Sequence, residues 1–270
     1  MLAGERYTVG TAVSLTTFQA AQVLGFGAGG LLVAAMGVRA SLLADAATFA
    51  ASALLVWAGV TARPAARAGG SARPRPLADM AAGTRLVFAT PALLVPMLFG
   101  WLAALYNSPE GIAAPLARAL AGGPATTGLL LAVPALGYTC GALGFGRCVP
   151  GRRRQLMRPL AIACCATLML AALRPGLPGM LVVLGVSGAC ACYQVAANAA
   201  FVASAPAQQR SQAFGLAAGG MSLGQGAAMV LAGAALHFAT VFDVVAGAGA
   251  IGAAAAIALT ILTSRKVSGL

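Results

Sequence analysis

The chain alternates long apolar runs with short polar breaks. Eight runs stand out, at about 11–36, 40–60, 89–107, 125–146, 157–173, 177–203, 213–238 and 241–263. A helix needs roughly 20 apolar residues to cross a bilayer, and each run is of that order, with 157–173 the shortest. The runs are continuous rather than alternating, and rich in Ala and Leu rather than in β-branched and aromatic residues. That pattern predicts helices, not strands. Backbone in hydrocarbon must satisfy its own hydrogen bonds, which leads to the same choice. The expected fold class is all-α: a polytopic helical membrane protein with about eight transmembrane helices.

Composition agrees. Of 270 residues, 60% are hydrophobic and 8% charged, and the mean hydropathy is +0.89. A soluble domain carries roughly 25% charged residues, so lipid is the expected solvent for most of this surface. The first ten residues carry Glu5 and Arg6 and have no short apolar core before a cleavage site, so no signal peptide is read there.

The net charge of +12 is explained by topology. With eight crossings, one side receives Arg6, Arg63, Arg67, Arg73, Arg75 and Arg85, the cluster from Arg147 to Arg158, Arg210, Arg265 and Lys266. The other side receives Arg39, Arg118 and Arg174. The division is fourteen against three, which accounts for all 17 basic residues. Cytoplasmic loops carry the excess of Lys and Arg, which places both termini in the cytoplasm and the protein in the cell membrane. Arginines spread over loops between apolar spans do not form a nucleic-acid surface, and no nucleic-acid partner is expected.

The longest polar stretch, 61–88, contains Arg63, Pro64, Arg67, Gly69, Gly70, Arg73, Pro74, Arg75 and Pro76. Proline, glycine and like charge predict a flexible cytoplasmic linker there. It separates a two-helix part (1–60) from a six-helix part (89–263), and 264–270 is left as a cytoplasmic tail.

Several local motifs fit this layout. Gly25-Phe26-Gly27-Ala28-Gly29-Gly30 is similar to the antiporter motif in the fifth helix of major facilitator superfamily transporters, with Gly25, Gly29 and Gly30 matching and Phe26 standing where proline is usual. The loop holding Arg147, Arg152 and Arg153 is similar to the family's glycine-and-arginine motif between helices eight and nine, without its acidic residue. Pro109-Glu110-Gly111 and Tyr193-Gln194-Val195-Ala196-Ala197-Asn198 resemble sequences in helices seven and ten of bacterial members. The chain thus resembles helices five to twelve of a drug-efflux-type member. The resemblance implies a membrane transporter, with proton-coupled secondary efflux of a small solute as its work. It also implies four preceding helices, encoded upstream, lost by truncation or supplied by another chain. A remnant or accessory subunit that does not itself transport is the alternative.

The glycines have a physical reading of their own. Gly25 and Gly29, Gly137 and Gly141, Gly215 and Gly219, and Gly220 and Gly224 lie four apart. That spacing gives a smooth stripe where another helix backbone approaches closely, as plain packing or as a sliding contact in alternating access.

Polar residues inside spans are the site candidates, because hydrocarbon penalises each unless it is paired or wet. Asp45, inside the second run, and Glu110, near the outer end of the third, are the candidates for proton coupling. Gln19, Gln22, Asn107, Tyr138, Tyr193, Gln194, Asn198 and Gln225 are the candidates for lining a substrate cavity, with Gln194 and Asn198 four apart on one face. Interhelical hydrogen bonding is the other reading of the same residues. A mostly neutral lining suits an amphipathic or apolar solute.

No HExxH, paired-aspartate or Ser–His arrangement is present, so an intramembrane enzyme is not expected. Neither a metal site nor any other cofactor is expected, and ATP coupling has no phosphate-binding loop to use. The expected partners are the lipid bilayer, a small-molecule solute and protons.

Overall fold

The computed structural model describes residues 5–60, 76–206 and 209–265, and among these residues there is no strand. Helix α1 runs over Glu5–Gly59 and breaks once, at Gly37 (φ 78°, ψ 167°). That conformation is essentially restricted to glycine. It divides α1 into the two spans expected from the first two apolar runs. The second of them, from residue 42 to residue 60, is exposed along its whole length.

After the break come α2 (Pro76–Ala89) and α3 (Pro91–Trp101), then α4 (Ala103–Tyr106), a 3-10 turn over Ser108–Ile112, and α5 (Ala113–Ala119). The remaining helices are α6 (Pro124–Gly146), α7 (Pro150–Leu168), α8 (Leu177–Cys190), α9 (Tyr193–Ser204), α10 (Arg210–Ala235) and α11 (Val241–Arg265), with a second 3-10 turn over Met169–Leu173. Joined across their short breaks, they give six spans after α2, each long and apolar enough to cross a membrane.

Three boundaries differ from the sequence reading. The linker expected over 61–88 is helical from Pro76 onward. Pro76 sits at the first helical position, where its missing N–H costs nothing, and the residues that follow favour helix. Positions 61–75 lie outside the described residues. The third span, expected to end at residue 107, instead runs over Pro91–Ala119. Pro109 opens a new turn there, so the chain stays helical through Glu110 and Gly111. This correction moves Glu110 from the end of a span to its interior. Helix α11 runs to Arg265, two residues into the tail expected from residue 264, and 266–270 lie outside the described residues.

Three apolar clusters are met in turn along the third span. Leu93 and Met97 pack with Val87, Phe201 and Ala213. Phe99 and Leu102 pack with Cys164, Tyr193 and Ala256. Ile112 and Leu116 pack with Leu168, Met180, Leu184 and Val245. Large side chains such as Trp57, Leu223 and Phe238 are left exposed, as lipid contact requires and water would not allow in such number.

Glycine sets how closely the helices meet, at some of the predicted stripes. A Cβ on Gly137 would run into the Gly185 carbonyl, and one on Gly141 into that of Ala189, so this stripe seats α6 on α8. Gly220 receives the Trp101 ring and Gly224 faces Ala104, which brings α10 onto α3 and α4. Gly30 meets Gly128 so closely that a Cβ on Gly30 would lie 2.7 Å from the Gly128 Cα, fixing the crossing of α1 and α6. Gly25, Gly29, Gly215 and Gly219 face open space.

Candidate functional site

The site grows from two helix breaks that face each other. The third span is interrupted at Leu102, between α3 and α4, and the sixth expected run is interrupted at Ala191 and Cys192, between α8 and α9. The carbonyls in the last turn of a helix have no regular intrahelical partner. At the end of α3 two of them are met from α9. The Tyr193 hydroxyl donates to the Phe99 carbonyl at 2.9 Å. The Gln194 amide donates to the Gly100 carbonyl at 2.9 Å and to the Tyr106 hydroxyl at 3.0 Å. Tyr106 and Tyr193 meet edge to face, with ring centroids 6.4 Å apart. Broken helices are tolerated at membrane depth where they are buried in protein or line a cavity.

A cavity of about 180 Å³ opens beside these breaks. Gln22 from α1, Tyr106 from α4, Asn107, Glu110 from the 3-10 turn, Tyr138 from α6 and Ser187 from α8 supply its polar lining, with Leu130, Leu131, Pro134 and Leu184 among its apolar walls. The Ser187 hydroxyl is already committed to the Cys164 carbonyl at 2.7 Å. Among the described residues, Glu110 makes no ion pair and no side-chain hydrogen bond, and no Lys or Arg lines the cavity. The lining therefore offers one carboxylate, a cluster of neutral polar groups and two phenol rings.

The sequence candidates divide accordingly. Gln22, Asn107, Tyr138 and Glu110 are brought together on the cavity. Tyr193 and Gln194 stand behind it, holding Tyr106 and the end of α3. Asn198 is exposed, contrary to the expectation that it shares a lining face with Gln194. The buried stripe of α9 is Tyr193, Ala197 and Phe201. Gln194 reaches inward from the edge of that stripe, but four residues advance a helix by 40° more than a full turn, which carries Asn198 outward. Gln225 lies beside Gly224 on α10, outside the cavity lining. The Gln19 side chain lies outside the described residues. Asp45 is exposed on the second half of α1 and does not line this cavity. Tyr106 and Ser187 were not anticipated. The only signal for Tyr106 was its place just ahead of the Asn107-Ser108-Pro109-Glu110 break.

The loop arginines do different work. Arg153 donates through Nε to the Cys148 carbonyl at 2.8 Å and through Nη2 to the Gly146 carbonyl, while Arg147 reaches the Leu143 carbonyl at 3.2 Å. Both satisfy carbonyls at the C-terminal end of α6, where cations are favoured. Arg152 is exposed.

Among the described residues no group of His, Cys, Asp and Glu is placed to hold a metal ion. The model of the family described as Major Facilitator Superfamily matches residues 110–269. Neither a curated protein nor a solved structure matches the chain. The family match takes in more than half of the sequence, from Glu110 on the cavity to the end of the last span. The chain belongs to the Major Facilitator Superfamily and is a multi-pass membrane transporter of that type, not an enzyme.

Proposed function

We propose that this chain moves a small amphipathic solute out of the cell in exchange for protons, using the cavity around Glu110. The observation that carries the reading is the placement of Glu110. It is the sole carboxylate on a cavity otherwise lined by neutral polar and apolar groups, and it has no ion-pair partner among the described residues. An ionisable side chain inside a membrane is costly and marks ion or substrate pathways. The phenol rings of Tyr106 and Tyr138 and the amides of Gln22 and Asn107 give an apolar body and a few polar groups places to bind.

The same reading assigns the two spans of α1 to helices five and six of the family and the six later spans to helices seven to twelve. It puts both termini and the α6–α7 loop on the cytoplasmic face of the cell membrane, following the arginine asymmetry. Outward direction rests on the partial antiporter motif at Gly25, Gly29 and Gly30.

The test is transport in proteoliposomes with an imposed pH gradient, using an amphipathic fluorescent probe. Movement of the probe against its own gradient, driven by the proton gradient, is expected. Movement indifferent to that gradient would sink proton coupling.

A further inference from the structure

A second hollow lies outside the cavity around Glu110. It is a groove of about 480 Å³ between the first half of α1 and the α5–α6 corner. Its α1 wall is Gly25, Phe26, Gly29, Gly30 and Val33, and its other wall runs from Ala114 and Gly122 to Leu131. Gly30 closes on Gly128, but a Cβ added at Gly25 or Gly29 would meet nothing within 4 Å. The groove is thus empty space beside the helix crossing, not packed contact. Next in sequence to its lining residues, Leu24 and Leu32 on α1 and Leu129 on α6 are exposed.

Its single charged residue is Arg118, near the end of α5 where the chain turns toward α6. Among the described residues the Arg118 side chain makes no ion pair and no hydrogen bond. From Pro124 to Leu131 the wall extends about 10 Å along α6. Arg118 comes from the last turn of α5, and Leu131 is the lining residue furthest along α6. An inorganic anion would leave the apolar length unfilled, and a neutral alkane would leave Arg118 unmatched.

We propose that this groove binds an anionic phospholipid, with one acyl chain against Gly25, Gly29 and Leu131 and the phosphate at Arg118. An apolar channel ending in a cation at the edge of a span matches such a lipid in both shape and charge. Gly25 and Gly29 then serve by leaving room for the chain, while Gly30 serves the helix crossing.

The experiment uses the whole chain reconstituted in nanodiscs of phosphatidylglycerol and phosphatidylcholine in equal parts. After extraction into mild detergent, retained lipid is identified by native mass spectrometry. Wild type is expected to retain phosphatidylglycerol in preference to phosphatidylcholine, whose choline cation cancels the phosphate charge, by about fivefold for one arginine beside a net-anionic headgroup. Gly29→Leu fills the groove and is expected to lose both lipids. Arg118→Gln is expected to keep lipid but lose the preference, and Arg118→Lys to restore much of it. Circular dichroism and elution volume check that each variant folds, and Gly25→Leu gives a second filling variant if Gly29→Leu does not. Unchanged retention in the filled variant, or an intact preference in Arg118→Gln, overturns the proposal. So does a wild-type dimer that carries no lipid and falls apart on Gly29→Leu, because a second copy of the chain would then be the occupant.

Discussion

The Tyr193 hydroxyl reaches across from the start of α9 to the Phe99 carbonyl in the last turn of α3, at 2.9 Å, with both residues buried. One hydrogen bond thus ties together two helices at the points where each is interrupted. Gln194 does the same one residue along, for Gly100 and Tyr106. The wall of the cavity that carries Tyr106 is held by this pair.

Removing only the hydroxyl tests that tie. Tyr193→Phe keeps the ring against Tyr106 but leaves the Phe99 carbonyl without its side-chain donor. A loss of about 1 kcal/mol is expected, with the fold retained. A lowered midpoint of thermal unfolding in detergent is the measurement. An unchanged midpoint would show that the bond contributes nothing.

The two glycine positions on α1 are expected to behave oppositely. Gly30→Ala puts a methyl 2.7 Å from the Gly128 Cα, whereas Gly29→Ala puts one into open space. Overpacking of a close contact costs roughly 1–3 kcal/mol, so Gly30→Ala lowers stability and Gly29→Ala does not. Thermal unfolding of the two variants side by side decides it. Equal midpoints would contradict the crossing described here.

Arg153 and Arg152 are neighbours with different expected sensitivities. Arg153→Gln removes the donors to Cys148 and Gly146 and is expected to loosen the end of α6 by about 1 kcal/mol. Arg152→Gln leaves those bonds in place. Amide hydrogen exchange over residues 144–149 is the readout, with faster exchange expected in Arg153→Gln alone.

Much of the architecture could be read from the apolar runs, because a bilayer imposes a length that sequence displays directly. The divide at Gly37 and the span over Val241–Arg265 fall close to where hydropathy put them. The breaks were harder. Ala191 and Cys192 include neither glycine nor proline, and the break there is met by side chains from another part of the chain, so no local signal marks it. Glu110 lies just beyond the third apolar run, and Pro109 beside it is a residue that commonly ends a helix. Here it starts a new turn instead, and the chain continues inside the bundle. Which polar residues face the cavity was legible only in part, since a face is set by helix rotation. Asn198 and Asp45 carry suitable groups but are exposed and do not line the cavity.

That contrast between two carboxylates gives the most direct test of the proposed mechanism. Wild type, Glu110→Gln and Asp45→Asn are reconstituted in proteoliposomes, and probe movement is followed with a pH gradient and, separately, as counterflow without one. Glu110→Gln is expected to lose movement driven by the gradient while keeping counterflow, and Asp45→Asn is expected to match wild type in both. Gradient-driven movement that survives in Glu110→Gln at the wild-type rate would contradict the assignment of Glu110.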